Sequence, residues 1–181
     1  MVFPELTTPR TQLAELTYDD ATALFQILNH PDVTRFYPLI PLAAPSDLHP
    51  VFDRFRQWFN EGSGIRWGIR LKGSDQLLGT IGLQQINKEH SGNIVFALAP
   101  QFWKMGFASE AIKEVIHYSF NTLNLRRIGA EVLPGNMASE NLLLKLGFGY
   151  EGLLRNWMLW QGVYHDIKMY SYIKPSEISG A

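Results

Sequence analysis

Residues 101–109 read Gln101-Phe102-Trp103-Lys104-Met105-Gly106-Phe107-Ala108-Ser109. A short apolar run, 93–99, precedes them with the character of a strand. A longer stretch, 108–123, follows with Ala108, Ala111, Ile112, Val115, Ile116 and Leu123 on one helical face. The segment is therefore a loop leading from a strand into a helix N-terminus. Such a junction offers unpaired backbone N–H groups and the positive end of a helix dipole, which together suit a phosphate. Gly106 can turn the chain sharply and admit an anion to the backbone. Ala108 and Ser109 are small, and Ser109 adds a hydroxyl. Taken alone, the same pattern also describes an ordinary strand–turn–helix connection. It is neither a Walker loop nor a three-glycine dinucleotide fingerprint.

Working outward, the first half reads as a strand (11–16), a helix opened by Asp19 or Asp20 and running to Leu28, and a stop at Asn29, His30 and Pro31. A proline-rich loop, 36–45, leads to a second helix from Ser46 or Asp47 to Phe59. Three strands follow (67–71, 77–85, 93–99), joined by short turns that imply an antiparallel meander. After the helix at 108–123 come a strand (127–133), a helix (139–146) ended by Gly147, and a hairpin of 150–160 with 163–173. Strand, helix, strand in this order imply one right-handed parallel crossover. The expected fold is α+β (mixed α/β): a twisted, mostly antiparallel sheet of about seven strands with a central parallel pair, flanked by helices. The 181 residues suit one domain over 1–181.

Composition narrows the function. Hydrophobic residues make up 46% and charged residues 18%, so the chain is expected to fold. A formal net charge of −1 without a basic run gives no support to nucleic acid or membrane surfaces as partners. The absence of cysteine removes disulfides, thiolate metal sites and a covalent acyl-Cys intermediate, and fits a cytoplasmic location. No metal-ligand spacing is found among the histidines. Residues 1–10 lack the pattern of a signal peptide, and 176–181 read as a frayed tail.

A second segment changes the weight of the first. Asn136 and Ser139 stand at a helix start, and Lys145, Gly147, Phe148, Glu151 and Gly152 follow in order. By themselves these are N-caps and a C-cap. With Gln101, Trp103, Gly106, Phe107, Ala108, Ser109, Glu110 and Ala111, and with Gln161, Gly162, Tyr164 and Asp166 further on, the chain resembles the GCN5-related N-acetyltransferase (GNAT) superfamily. Within it, the motifs resemble those of the Rim-like branch that acetylates ribosomal-protein N-termini. The resemblance covers about 11–173.

It implies acetyl-CoA as co-substrate, with no metal, and a primary amine as acceptor: a protein N-terminus, or a small amine such as a polyamine or antibiotic. A non-catalytic CoA-binding module is the competing class. The diphosphate would rest on backbone N–H groups of Lys104, Met105, Gly106, Phe107, Ala108 and Ser109, with Gln101, Asn136 and Lys145 also on the cofactor. The pantetheine arm would pair with Phe96, Ala97 and Leu98 like an added strand. The Leu98 N–H would stabilise the oxyanion, and Ser139 would protonate the departing thiolate. Monomer and homodimer stay equally open.

The pattern is broken at three places. Lys104 replaces a loop glycine. Asn93 and Met158 stand where relatives place glutamates, and Leu143 where others place a tyrosine. The remaining bases are Glu89, His90, Glu131 and Asp166. Exposure is the first expectation for Glu89, His90 and Glu131, and pairing within the hairpin for Asp166. No single carboxylate is then expected to be indispensable, and water can carry the amine proton away. Trp157, Trp160, Tyr164, Tyr170 and Tyr172 alternate on the closing hairpin and read as core or as a dimer surface. The 36–45 loop is a candidate lid over the acceptor.

Overall fold

The computed structural model describes residues 2–38, 41–88 and 90–175. In chain order these form β1 (Leu6–Thr7), β2 (Thr11–Glu15), α1 (Ala21–Leu28), α2 (Pro31–Thr34), α3 (His49–Glu61), β3 (Ile65–Leu71), β4 (Leu77–Asn87), β5 (Ser91–Leu98), α4 (Phe107–Asn121), β6 (Arg127–Val132), α5 (Met137–Lys145), β7 (Gly149–Trp160) and β8 (Val163–Ile173). The eight strands make one sheet in the order β1-β2-β3-β4-β5-β6-β8-β7. All neighbours are antiparallel except β5 and β6. The additional strand is the two-residue β1, too short to show alternation in the sequence.

Both faces of the sheet are covered. Phe107, Ala111, Ile112 and Val115 of α4, with Leu143 of α5, pack on Leu13, Trp67, Ile69, Ile81 and Ile128. Leu24, Ile27 and Leu28 of α1, with Phe52 of α3, pack around Leu16, Leu77, Ala97 and Ala99. The fully buried strand positions explain why β3 and β4 read as apolar runs rather than as alternating strands.

Helix starts differ from the sequence expectation in informative ways. Asp20 stands at the N-cap of α1 without a side-chain cap bond. Its carboxylate instead accepts from the Thr17 N–H at 2.8 Å and from Arg70 Nη2 at 2.6 and 2.7 Å. The first helix does end at Leu28, with Asn29 as its C-cap, and Pro31 then opens the short α2, with His30 Nδ1 accepting from the Asp32 N–H. Proline is tolerated at that position because its missing N–H would be unpaired anyway. Asp47 opens no α-helix either: Pro45–Leu48 form a 3₁₀ turn ahead of α3.

The feature that positions the site is a short parallel contact. β5 and β6 pair only at Ser91 with Arg127, Gly92 with Ile128 and Asn93 with Gly129. Beyond Asn93 the two strands diverge, although β5 continues to Leu98 and β6 to Val132. A V-shaped gap therefore opens in the middle of the sheet, with the loop before α4 at the end of β5.

Candidate active site

One wall of the gap is a free strand edge. The Ala99 N–H donates to the Leu78 carbonyl of β4 at 2.9 Å. Antiparallel alternation then turns Ala97 toward β4, and the backbone groups of Phe96 and Leu98 toward the gap. Of these, the Leu98 carbonyl accepts from Trp103 Nε1 at 2.8 Å. That bond ties the following loop to the strand end and leaves the Leu98 N–H beside it in the gap. Leu98 and Ala97 bury their side chains, so both would act through the backbone.

At the end of β5 the chain makes the turn Pro100–Phe102 and enters α4 through residues 103–106. Lys104 has φ 60° and Gly106 φ 87°. The left-handed Lys104 explains why a glycine belongs here by pattern: the chain takes the same path at the cost of some strain. Glu110 N–H donates to the Gly106 carbonyl, so the N–H groups of Phe107, Ala108 and Ser109 precede the first intrahelical bond. The Phe107 side chain is buried against Phe102 and under Arg10. Only its backbone can serve an anion. Gln101, Lys104 and Met105 are exposed.

Across the gap, Asn136 caps α5 by accepting from the Ser139 N–H at 3.2 Å. Ser139 is half-buried, and its hydroxyl has no partner among the described residues. Lys145 lies exposed near the far end of α5. Glu151, part of the motif that carries the resemblance, is structural: it pairs with Arg127 and accepts from Ser171 Oγ at 2.6 Å. The Arg127 fork holds its carboxyl down at about 2, assisted by Ser171.

The wall formed by β6 carries Glu131, and here the structure overturns the expectation of a solvated side chain. Glu131 is half-buried, two residues past the last parallel pair. Asn93 Nδ2 lies 3.3 Å from Glu131 Oε1 and 2.8 Å from Gln85 Oε1. Gly129 makes room for this arrangement, since a Cβ there would fall 2.3 Å from Asn93 Oδ1. Burial pushes the Glu131 carboxyl above its usual range, and a hydrogen bond from the Trp157 side chain pulls partly the other way. Trp157 and Tyr164 are 55% and 62% exposed, so neither lies in a hairpin core. Tyr170 does reach the core.

The other sequence candidates are elsewhere. Asp166 accepts from the Asn156 N–H at 2.9 Å within the hairpin. His90 is exposed at the turn before β5. Glu89 lies outside the described residues. Leu143 is buried and Met158 faces His165 in the β7–β8 ladder. Sequence reasoning also missed Arg10, whose side chain reaches the 101–109 loop from the other end of the chain. No local pattern marks it.

An open pocket of ≈ 430 Å³ lies between the start of α2 and the hairpin tip. Pro31, Arg35, Tyr37, Pro41 and Trp160 are among its lining residues, so part of the 36–45 loop does border a cleft. Leu39 and Ile40 of that loop lie outside the described residues. Among the described residues no group of His, Cys, Asp and Glu could hold a metal ion. None of their helices is long and apolar enough to cross a membrane.

Comparison with known proteins places the fold. Residues 10–149 match the model of the acetyltransferase (GNAT) domain. The chain is 40% identical over 177 residues to YoaA of Bacillus subtilis, an uncharacterized N-acetyltransferase; the match covers 97% of this chain and 100% of the relative. Ribosomal-protein-S5-alanine acetyltransferase from Vibrio fischeri shares the fold with a TM-score of 0.81 at 20% identity, over 95% of this chain and all of that one. RimJ of Mycobacterium smegmatis, solved with a CoA-disulfide, superposes with a TM-score of 0.83 at 21% identity, over 94% of this chain and 86% of that one. The chain belongs to the GNAT acetyltransferase family and is an N-acetyltransferase that uses acetyl-CoA.

Proposed function

We propose that the acceptor is a protein N-terminal amine and that it is acetylated by direct attack in the gap between β5 and β6. The observation that carries this reading is the coincidence of three features there. A free strand edge at Phe96 and Leu98 leads to the anion-suited start of α4, and a desolvated carboxylate, Glu131, faces the same gap. The acceptor class draws on relatives whose names state ribosomal-protein acetylation.

Acetyl-CoA supplies the activated acetyl group. The chain's own groups do the rest. Backbone N–H groups from Lys104 to Ser109 hold the diphosphate, with Gln101, Asn136 and Lys145 at its flanks. Phe96, Ala97 and Leu98 guide the pantetheine arm, and the Leu98 N–H donates to the carbonyl oxygen as it gains charge. Glu131 takes the proton that leaves the amine. Its raised pKa makes it a stronger base than an exposed glutamate. Asn93 cannot titrate, but it steers Glu131 into the gap. Ser139 gives a proton to the departing thiolate.

Release of free CoA thiol, followed with a panel of N-terminal peptides and small amines, tests the reading. Peptides are expected to turn over faster than polyamines, with acetyl on the α-amine by mass spectrometry. Turnover confined to small amines would refute the acceptor class. Glu131→Gln is expected to lower kcat/KM by about 10²-fold or more with CoA affinity unchanged. A loss under tenfold would return the proton to water.

A further inference from the structure

The start of α4 carries an electrostatic problem. Glu110 lies in its first turn, where the helix dipole favours a carboxylate. That same field is what a diphosphate would use, and an uncompensated Glu110 would compete with it and repel it. The side chain is charged in the folded protein. Burial opposes its ionisation, but hydrogen bonds from Arg10 and Thr8 outweigh this and hold the carboxyl below its usual range.

The compensating charge arrives from a hundred residues away. Arg10 Nη2 lies 2.6 Å from Glu110 Oε1, and Arg10 Nε donates to the same oxygen at 2.7 Å. The Arg10 backbone N–H and Thr8 Oγ1 donate to Oε2 at 3.3 and 3.1 Å. Arg10 Nη2 also donates to the Met105 carbonyl at 2.8 Å, and the guanidinium lies 4.3 Å from the centre of the Phe107 ring. One side chain therefore covers the only acidic group in the first turn of α4 and fastens the loop immediately before it.

We infer that Arg10 is a positioning residue for diphosphate binding: it cancels the charge of Glu110 and holds the Met105 carbonyl, so that the loop before α4 accepts an anion. The inference rests on the acetyl-CoA reading of that loop. It predicts an asymmetry that a purely structural ion pair lacks. Removing the cation exposes a repelling carboxylate, whereas removing the carboxylate harms nothing at the loop.

Titration calorimetry with CoA on the full chain tests it, using Arg10→Gln, Glu110→Gln and the double variant. Arg10→Gln is expected to weaken CoA binding about tenfold, and less so at high salt. Glu110→Gln should bind CoA as well as the parent or tighter, and the double variant should recover to within about threefold of it. S-acetylpantetheine, which lacks the diphosphate, should turn over equally in parent and Arg10→Gln. The inference is overturned if Glu110→Gln weakens CoA as much as Arg10→Gln, if the double variant shows no recovery, or if acetylpantetheine turnover falls in step. Should Arg10→Gln fail to fold, Glu110→Gln and Arg10→Lys carry the test: lysine keeps a charge opposite Glu110 but loses the fork that also reaches the Met105 carbonyl, so CoA binding is expected to weaken by about threefold or more, and parental affinity in Arg10→Lys would overturn the inference. A parent protein that binds no CoA would instead refute the acetyl-CoA reading itself.

Discussion

Replacing Gly106 by valine tests the diphosphate loop at its tightest point. Gly106 has φ 87° and stands at the N-cap of α4. An L-residue in left-handed backbone costs roughly 1–2 kcal/mol, and a β-branched one is a clear outlier there. A Cβ at this position would also sit 3.0 Å from Arg10 Nη2, the atom that donates to the Met105 carbonyl. The variant must therefore either keep the loop and lose stability, or relax the loop and lose the anion site. If the loop relaxes, roughly 1–2 kcal/mol appears as a 5–30-fold weaker CoA affinity, and displacement of Arg10 adds to it. Calorimetric titration with CoA, paired with a thermal melt, separates the two routes. Gly106→Ala, without β-branching, should show a smaller effect in the same direction. A folded Gly106→Val protein with parental Kd and Tm would refute the assignment of the loop.

Other outcomes follow from the same geometry. If Glu131 is the base proposed above, it works only when ionised, so kcat/KM should rise with pH through a pKa above the ordinary carboxylate range, and Glu131→Gln should lose that limb. Trp157→Phe removes the hydrogen bond that favours the ionised form, so the limb should move to higher pH; a shift downward would contradict the arrangement. Ser139→Ala should lower kcat about tenfold or more with CoA affinity retained, as measured by thiol release and calorimetry. If affinity falls and turnover survives, Ser139 is a binding or capping residue. Glu151 has a folded-state pKa of about 2 against an ordinary 4.5. Its stabilising pair with Arg127 is therefore present above pH 4.5 and lost as pH falls toward 2. Glu151→Gln should flatten the acid limb of a Tm-against-pH curve, and an unchanged limb would show that the pair is inert.

Most of the architecture was legible because it depends on near neighbours. Apolar spacing in α4 placed the helix to within a residue of its observed start at Phe107, and Val163–Ile173 emerged with its observed bounds. The loop from Gln101 to Ser109 could be read as anion-suited because all its parts are consecutive: a strand end, a turn glycine, and the first N–H groups of a helix. Composition likewise excluded an acyl-cysteine. Local pattern failed where a residue had two uses. Asp20 looked like a cap, but Arg70, 50 residues away, recruits its carboxylate. Pro31 helps mark the end of α1 at Leu28, as expected, and also serves as the first residue of the short α2.

The surroundings of Glu131 and Arg10 were decided by tertiary structure alone. Glu131 alternates with apolar neighbours and so looks like a solvent-facing strand position. Its burial and its contacts depend on β5 and β6 parting after Asn93 and Gly129, and on the Trp157 side chain of β7, a strand separated from β6 by β8, reaching its carboxylate. Arg10 and Glu110 are 100 positions apart, and only the register of the β1–β2 end against α4 brings them together. Periodicity reports which face of an element a side chain takes. Desolvation and charge pairing depend on what the rest of the chain places opposite that face, and this is set by strand order and divergence rather than by neighbours in sequence.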